Sequence, residues 1–507
     1  MGGMIDNLTL GLQTALMPEN LFFCFLGVFL GTILGVIPGI GVLVSISLLF
    51  PITFHIGPTP ALVMLAGIYY GTTYGGSTSA ILLNVPGTPS SAVSCLDGHP
   101  MAQQGRAGTA LLMTTVASFF GGSVGILLLT GFSPMIAASA LEFGSVEYFA
   151  LMVLGLIAAS TIAGGSAAKG VSMVLFGILL GIVGSDVYTG QLRFTFGQQA
   201  LFDGISVIAL AMGIFGIAEV VSSVNSVKTA SIPPGRITFR SMLPSVSEFR
   251  ASVMPMIRGS GIGSFFGALP GTGGLIAAYM SYAVEKRIGD ESRFGKGAIE
   301  GLTGPESANN AADQTAFIPT LTLGIPGSPT MAIMLGVLII HGIEPGPLVL
   351  TEQPDLFWGL VMSFWIGNLM LLVLNIPMVG LWVRLLRVPF QLMFPAIVMF
   401  IVMGVLTTYN GSLQIWMVLI LGALGYLMRY LAMPAAPMIL GFVLGPLMEE
   451  HFRRALLLSG GEFGTFIEGP IAQVCLALSA GLLILNFVGS WRRRAARRQS
   501  EAGLSAD

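Results

Sequence analysis

One short stretch of the chain, residues 304–316, carries most of the side chains that could do chemistry inside an otherwise apolar protein. Its sequence, GPESANNAADQTA, begins with a Gly-Pro pair, and proline is tolerated in the first turn of a helix. The polar residues follow at i, i+3, i+4 and i+7, which places Glu306, Asn309, Asn310 and Asp313 on one helical face. Carboxylate and amide oxygens suit Na⁺ or a proton, so Asn309, Asn310 and Asp313 are predicted to line a substrate or coupling-ion route. The alternative is an ordinary cytoplasmic helix with a solvated polar face.

Two Pro-Gly elements interrupt apolar sequence, and the 68 glycines and 28 prolines of the chain suggest interrupted helices more than close packing. Proline removes a helix hydrogen bond and glycine lets the backbone turn, which frees amides and carbonyls. Free amides at a helix start attract an anion, and free carbonyls attract Na⁺. A packing kink lined by small residues is the alternative. The residues predicted to form the two cavity tips and to contact substrate are Pro38, Gly39 and Gly41, and Pro270, Gly271, Thr272 and Gly273.

A second pair of motifs, NVPGTPSS from Asn84 and GIPGSPT from Gly324, also breaks apolar runs and places hydroxyl residues where a new helix would begin. Serine and threonine at such positions either cap the helix or bind a carboxylate oxygen. Capping alone is the plainer alternative. The substrate contacts predicted here, together with two hydroxyls of the upstream segment YGGSTS, are Ser77, Thr78, Asn84, Pro86, Gly87, Thr88, Pro326, Gly327, Ser328 and Thr330.

Several signatures of other chemistries are missing from the sequence. It contains no P-loop, no HExxH helix, no GxSxG elbow and no paired-cysteine motif, and its three cysteines show no metal-ligand spacing. An ATP-driven pump or an intramembrane hydrolase would need such a constellation. We therefore predict no catalytic residue, no metal site and no cofactor apart from a coupling ion, Na⁺ or H⁺.

The composition indicates where these motifs must operate. Of 507 residues only 9% are charged, against roughly 25% in soluble domains, and 54% are hydrophobic. So little charge cannot cover a soluble protein of this length, which excludes a cytosolic enzyme, a nucleic-acid binder and a disordered scaffold. We predict an all-α polytopic membrane protein with roughly 10–13 transmembrane helices plus re-entrant hairpins, since each span needs about 20 apolar residues.

The motif pairs recur in the same order, which indicates an internal duplication. GTILGVIPGIG, from Gly31, aligns with GSFFGALPGTG, from Gly263, and LNVPGTPS, from Leu83, aligns with LGIPGSPT, from Leu323. Duplicated halves are typical of secondary transporters, and we expect two homologous, inverted repeats with a re-entrant hairpin at each tip. The predicted boundaries are 1–224 for the first transmembrane repeat, 225–251 for a basic linker, 252–490 for the second repeat and 491–507 for a basic tail.

Basic residues cluster in the linker, in the loop 285–296 and in the tail. Because an excess of Lys and Arg marks the cytoplasmic side of a membrane, we expect the linker and the C-terminus to be cytoplasmic. The segment 259–284 would then leave and return to the same side, as a re-entrant hairpin does.

Together these motifs resemble the large membrane (permease) subunit, of the TctA type, of the tripartite tricarboxylate transporters. The resemblance covers nearly the whole chain, from PEN at 18–20 and GTILGVIPGIG to the basic tail. The parts of the resemblance that are specific to this family are two long central motifs, YGGSTSAILLNVPGTPSSAVSCLDGHPMAQQGRAG and GPESANNAADQTAFIPTLTLGIPGSPTMAIMLGVLIIHGIEPGPLV.

The resemblance implies a multi-pass permease of the bacterial inner membrane. It would work with a small membrane subunit of about four spans and with a periplasmic binding protein that delivers a small carboxylate such as citrate. Uptake would be driven by an ion gradient, without ATP and without a nucleic-acid partner, and a homodimer is left open. A passive channel or a multi-pass membrane enzyme is the alternative from another class.

Overall fold

The structure, a computed structural model, describes residues 3–162, 166–186, 188–223, 239–269, 273–386, 390–408 and 412–504. Within these ranges the chain is almost entirely helical, apart from one pair of two-residue strands. This confirms the predicted all-α fold. Three predicted tip residues, Pro270, Gly271 and Thr272, lie outside the described residues, as does much of the predicted linker.

The helices range from a single turn to more than thirty residues. Those of the first half of the chain are α1 (Met4–Ala15), α2 (Pro18–Val36), α3 (Val42–Leu49), α4 (Pro58–Leu83), α5 (Ser94–Met101), α6 (Ala107–Ala140), α7 (Ser145–Ile162), α8 (Ala167–Gly181), α9 (Val207–Ala211) and α10 (Ala218–Ser223). Between α8 and α9, the strands β1 (Gly184–Ser185) and β2 (Leu192–Arg193) pair antiparallel.

The described part of the second half of the chain is also built of helices of very different lengths. Its helices are α11 (Phe239–Met242), α12 (Val246–Ala268), α13 (Gly273–Ile288), α14 (Glu300–Thr315), α15 (Phe317–Leu323), α16 (Pro329–Ile340), α17 (Val349–Glu352), α18 (Pro354–Asn375), α19 (Val379–Leu385), α20 (Phe390–Thr408), α21 (Ser412–Tyr430), α22 (Ala435–Leu458) and α23 (Pro470–Leu504).

Several of these helices have the length and composition of membrane spans. In the described part of the chain, four segments are long and apolar enough to cross a bilayer: Pro18–Val36, Ser94–Ala140, Pro354–Asn375 and Leu413–Tyr430. Several shorter apolar helices of 10–17 residues accompany them. The chain is therefore a multi-pass membrane protein.

Glycines spaced four residues apart allow α2 and α4 to pack backbone against backbone. A Cβ atom at Gly31 would lie 2.5 Å from the carbonyl oxygen of Ile68, and one at Gly35 would lie 2.3 Å from that of Thr72. Gly71 of α4 approaches the α2 backbone equally closely. Much of the glycine excess therefore serves close helix packing, a larger share than the sequence suggested.

The same contact recurs between α12 and α14. A Cβ atom at Gly263 would lie 2.0 Å from the carbonyl oxygen of Ala308. Gly31 and Gly263 are 232 positions apart, which is the offset of the first motif pair. Their contacts, Ile68 and Ala308, are 240 positions apart, which is the offset of the second motif pair. The packing thus supports the internal duplication in three dimensions.

The equivalent helices α4 and α14 run antiparallel to each other. Tyr69 contacts Asp313 near the end of α14, whereas Ile81, further along α4, packs in one cluster with Leu302 near the start of α14. Opposite directions of equivalent helices are what an inverted repeat requires.

The helices α12 and α13 form the hairpin that the sequence predicts around the second Pro-Gly element. Arg258 on α12 donates two hydrogen bonds to Glu285 on α13, at 2.8 and 2.5 Å. Because these two residues lie far from the intervening turn, the limbs are antiparallel and the chain returns toward its starting side. The hairpin begins earlier than expected, at Val246.

The chain divides into two compact units, each formed by two separate stretches of sequence. The first unit comprises Met1–Leu141 and Val207–Tyr426, and the second comprises Glu142–Ser206 and Leu427–Asp507. All four duplicated motifs fall in the first unit, so both predicted repeats contribute to it.

The second unit contains its own ion-pair network. Asp186, which is buried, pairs with Arg193 and with Arg453, the latter at 3.1 Å. Glu449 pairs with the same two arginines, at 2.9 and 2.7 Å. This network joins the strand pair to α22.

Candidate functional site

The polar face of α14 is buried inside the first unit. Every residue from Gly301 to Thr315 is buried, and Glu306, Asn309 and Asp313 expose only 0%, 1% and 4% of their surface. This excludes the alternative of a solvated face. Buried polar groups need hydrogen-bond partners, and here the partners come from other helices.

Asp313 is held by two hydroxyl groups of α4. The Tyr69 hydroxyl donates to Oδ1 of Asp313 at 2.5 Å, and Oγ1 of Thr73 donates to Oδ2 at 3.0 Å. Beside them, the Tyr70 hydroxyl donates to Oε1 of Gln314 at 2.8 Å. These bonds join α4 and α14 through a polar contact in a water-excluded core.

Thr73 and Asp313 occupy equivalent positions in the two repeats. They are 240 residues apart, as are Leu83 and Leu323 of the second motif pair. In a molecule built from two related halves, equivalent atoms touch only at the axis between the halves. This contact therefore lies where the two motif-bearing halves of the first unit meet.

A second buried carboxylate, Glu306, lies about two turns earlier on the same face of α14. Its Oε1 accepts a hydrogen bond from Ser94 of α5, and its Oε2 accepts one from Ser118 of α6 at 3.3 Å. Ser77 of α4 and Asn309 also interact with this carboxylate. Glu306 is thus surrounded by neutral polar side chains from four helices.

The two asparagines of α14 are hydrogen-bonded to each other. Nδ2 of Asn310 donates to the Glu306 carbonyl at 2.9 Å and to Oδ1 of Asn309 at 2.5 Å. Among the described residues, Nδ2 of Asn309 has no hydrogen-bond partner. The acceptor beside it is the Glu306 carboxylate, with which Asn309 interacts.

The start of α13, just after the second Pro-Gly element, lies against this polar face. A Cβ atom at Gly274 would lie 3.0 Å from Oδ1 of Asp313 and 3.3 Å from the carbonyl oxygen of Asn309. The preceding residue, Gly273, has a φ of +61° and lies beside Ser328. The structure therefore brings Gly273, Ser328 and the α14 residues together.

The first Pro-Gly element forms the break between α2 and α3. Pro38 and Gly39 make the turn, and Gly39 has a φ of +88°, which glycine adopts without strain. Gly41 directly precedes α3, and a Cβ atom there would lie 3.9 Å from the carbonyl oxygen of Gly87. The first tip is thus adjacent to the first member of the second motif pair.

The second motif pair begins with the same backbone turn in both halves. Asn84 and Gly324 end α4 and α15 in the left-handed conformation, with φ of 56° and 68°. A Cβ atom at Gly87 would lie 2.5 Å from the carbonyl oxygen of Gly35 on α2, and Gly327 lies against α12 in the corresponding place. Each motif therefore folds back onto the helix that precedes its own tip.

The hydroxyls of these motifs act as caps in the structure. Oγ1 of Thr88 accepts from the Ser91 amide at 3.3 Å, and Oγ of Ser328 accepts from the Met331 amide at 3.3 Å. Their predicted substrate contacts remain predictions. The other predicted contacts divide by exposure: Ser77, Thr78, Pro326, Gly327 and Thr330 are buried, and Asn84 and Pro86 are exposed.

Sequence reasoning found the polar face but missed its partners. Tyr69, Thr73, Ser94 and Ser118 come from three other helices, and nothing in their local sequence connects them to α14. The 240-residue offset could have singled out Thr73, because it aligns this residue with Asp313.

The arrangement suits the binding of a small ion together with a polar ligand. In the described part of the chain, no group of three His, Cys, Asp or Glu side chains could hold a metal. Two buried carboxylates ringed by hydroxyls and amides can exchange a proton or a monovalent cation, and the first turn of α13 leaves backbone amides without a partner inside its own helix.

Known proteins resemble the chain over most of its length. The Tripartite tricarboxylate transporter TctA family matches residues 21–440. An uncharacterized 52.8 kDa protein in the TAR-I ttuC' 3' region of Agrobacterium vitis is 48% identical over 492 residues, 97% of this chain and 98% of that protein. An uncharacterized protein in the TAR-II ttuC' 3' region of the same organism is 49% identical over 233 residues, 46% of this chain and 96% of that protein. No solved structure matches. The chain therefore belongs to the tripartite tricarboxylate transporter TctA family.

Proposed function

We propose that the chain is the permease of a secondary transporter that imports tricarboxylates or related carboxylates, driven by a gradient of Na⁺ or H⁺. Membership of the TctA family supports a permease that works with a small membrane subunit and a periplasmic binding protein. The binding protein would deliver the substrate. The clustering of basic residues in the linker and tail supports a bacterial inner-membrane location with a cytoplasmic C-terminus.

The observation that carries the proposal is the contact of Asp313 with Tyr69 and Thr73. It joins equivalent helices of two antiparallel repeats at a buried position, beside the broken helix at α13. A site built jointly by two inverted repeats can be opened to one side of the membrane or the other as the repeats shift, which is alternating access.

The polar groups of this core divide into two roles. The tips, together with Ser328, Thr330, Thr88 and Asn84, would bind the substrate carboxylates, because backbone amides and hydroxyls donate hydrogen bonds to an anion. Asn309, Asn310 and Asp313 would line the route of the coupling ion, because they supply carboxylate and amide oxygens.

Reconstitution tests the proposal directly. Liposomes that contain the chain with its small subunit and binding protein should accumulate radiolabelled carboxylate against its gradient only when an ion gradient is imposed. Downhill leakage without accumulation would indicate a passive channel. Chemical conversion of the carboxylate would indicate a membrane enzyme.

A matched pair of variants ties uptake to α14. Asn310→Ala should abolish uptake and leave membrane insertion intact, as should a bulky substitution of Gly271. The control is Asn375→Ala, since Asn375 is also buried and also donates to the carbonyl oxygen four residues earlier, at 2.9 Å. Equal uptake by the Asn310 variant and wild type would refute the assignment.

A further inference from the structure

We propose that Glu306 and the serines around it form a binding site for one sodium ion, distinct from the contact at Asp313. The proposal rests on the proposed function only in that it identifies Na⁺ as the driving ion. The binding itself is a property of this chain alone.

The first support is the number and origin of the oxygen atoms. Both carboxylate oxygens of Glu306 are engaged, by Ser94 and by Ser118, and Ser77 interacts with the same group. Two carboxylate and three hydroxyl oxygens thus converge from α4, α5, α6 and α14. Each of these residues is buried, with Glu306, Ser77 and Ser118 at 0% exposure. Hard oxygen ligands in a water-excluded pocket are what an alkali cation needs in place of its hydration shell.

The second support is the charge. Within the described ranges, no Lys, Arg or His side chain forms an ion pair with Glu306. Hydroxyls that donate to a carboxylate stabilise its ionised form, and an ionised carboxylate buried without a counter-charge is strongly unfavourable. A bound cation removes this penalty, because it neutralises the carboxylate that coordinates it. The lone pairs of the serine oxygens complete the coordination shell of the cation.

The charge of the bound ion follows from the same residues. Ca²⁺ and Mg²⁺ sites use several carboxylates or bound waters, whereas this pocket contains a single carboxylate. One negative charge matches one monovalent cation. Na⁺ is the monovalent metal ion whose gradient the proposed function uses, so we assign the site to Na⁺.

The amide of Asn309 lies beside the same carboxylate and interacts with it. Its Oδ1 accepts from Nδ2 of Asn310 at 2.5 Å, so turning that oxygen toward Glu306 would break this bond. The site is therefore built from the five oxygens of Glu306, Ser77, Ser94 and Ser118.

The position of the pocket explains how the ion would be coupled to substrate. Glu306 and Asp313 are seven residues apart on one helix, which is about 10 Å. Ser94 is the first residue of α5, the helix that follows the NVPGTPSS motif. A cation that gathers Ser94, Ser118 and Glu306 therefore draws α5, α6 and α14 together next to the contact between the two halves.

Purified full-length chain in detergent tests the site without partners, substrate or a gradient. The unfolding temperature should rise with NaCl relative to choline chloride or KCl at equal ionic strength, as linkage requires for a ligand that binds the folded state. Titration calorimetry with NaCl gives the affinity. Glu306→Gln should lose the effect, and Ser118→Ala or Ser94→Ala should weaken Na⁺ binding about tenfold.

The matched control is Ser133→Ala. Ser133 is a buried serine on the same helix as Ser118, about 22 Å further along, and its hydroxyl has no partner among the described residues. Its removal should leave the response to Na⁺ unchanged. If the Glu306 variant does not fold, the two serine variants carry the test.

Two results would overturn the proposal. One is a stabilisation that is identical in Na⁺, K⁺ and choline, or that persists unchanged in the Ser118 and Ser94 variants. The other is stabilisation by acidic pH independent of Na⁺, which would make Glu306 a proton site. If liposomes accumulate carboxylate but the purified chain does not bind Na⁺, the sodium site is wrong and the proposed function stands. If the chain binds Na⁺ but the liposomes do not accumulate carboxylate, the proposed function is wrong and the sodium site stands.

Discussion

The helices α4 and α14 hold equivalent places in the two halves and pack in the same way against α2 and α12. The left-handed turn that ends α4 recurs at the end of α15, the helix that follows α14. The polar residues of α4 and α14 nevertheless differ. At positions 240 apart, α4 has Tyr69 and Thr73 where α14 has Asn309 and Asp313. One helix supplies hydroxyl donors and the other supplies acids and amides, so a shared backbone has been given complementary chemistry.

The scaffold and the polar contact therefore place different demands on the sequence. The scaffold needs small residues at matching positions in both halves, because backbones must touch. The site needs unlike residues, because two carboxylates facing each other across the axis would repel and two hydroxyls would carry no charge. Variants can therefore perturb the shared scaffold and the unlike side chains separately.

The largest effect should come from the shared glycine contact. Gly263→Leu should destabilise the protein by about 3 kcal/mol or more, because its Cβ would overlap the Ala308 carbonyl oxygen at 2.0 Å. Gly31→Leu should do the same in the first repeat. The measurement is the yield of monodisperse protein and its unfolding temperature.

Gly261→Leu is the control for these variants, because nothing lies within 4 Å of a Cβ atom at that position of α12. It should behave as wild type. Equal damage from this variant, or damage in one repeat alone, would break the idea of a common scaffold.

The next effect concerns the pair at the repeat axis. Asp313→Asn should lower uptake about 100-fold, and Thr73→Val about tenfold, since the first removes the charge and the second removes one of its two hydroxyl donors. Initial rates in liposomes measure both. Thr72→Val is the neighbouring control, because the Thr72 hydroxyl bonds only to its own helix, at 2.7 Å from the Ile68 carbonyl. If Thr73→Val and Thr72→Val are alike, the hydroxyl of Thr73 has no part in transport.

A smaller difference in uptake should distinguish the hydrogen bond to the acid Asp313 from the hydrogen bond to the amide of Gln314. Tyr69→Phe removes a donor to a carboxylate and should lower uptake about tenfold, whereas Tyr70→Phe removes a donor to the neutral Gln314 and should lower it about threefold. Uptake rates at saturating substrate give the ratio. A reversed order would mean that the Gln314 contact matters more than the charge of Asp313.

The smallest effects should come from the caps, where the two repeats are again alike. Ser328→Ala should lower the free energy of unfolding by about 1 kcal/mol, and Thr88→Ala by less, because Thr88 caps only a single turn. Unfolding temperatures measure this. Unchanged stability combined with a selective rise of KM for the carboxylate would favour substrate binding over capping.

Much of the fold could be predicted from composition and motif order. The low charge and apolar runs indicate a helical membrane protein, and the two ordered motif pairs indicate a duplication, because spans and repeats are local or self-similar features of a chain. The α14 face was also predictable, since the 3.6-residue period sets which side chains share a side. The glycine packing was less visible, because a glycine in a kink and one in a helix contact look the same in sequence.

The partners of the acids were not predictable. Tyr69 meets Asp313 across 244 positions and Ser94 meets Glu306 across 212. Such pairs depend on how closely the helices approach and on their relative rotation. Those quantities are set by side-chain packing over whole helix surfaces, which no local pattern records.

The chain's own order of residues thus settles that it is a helical, duplicated membrane protein with one polar helix face, because these properties depend on composition and on short periodicities. Whether that face meets solvent or protein, and which hydroxyls surround each carboxylate, depends on contacts between helices far apart in the chain. Only the packed structure holds those distances, and they turn a polar stripe into two separate buried carboxylate contacts, at Asp313 and at Glu306.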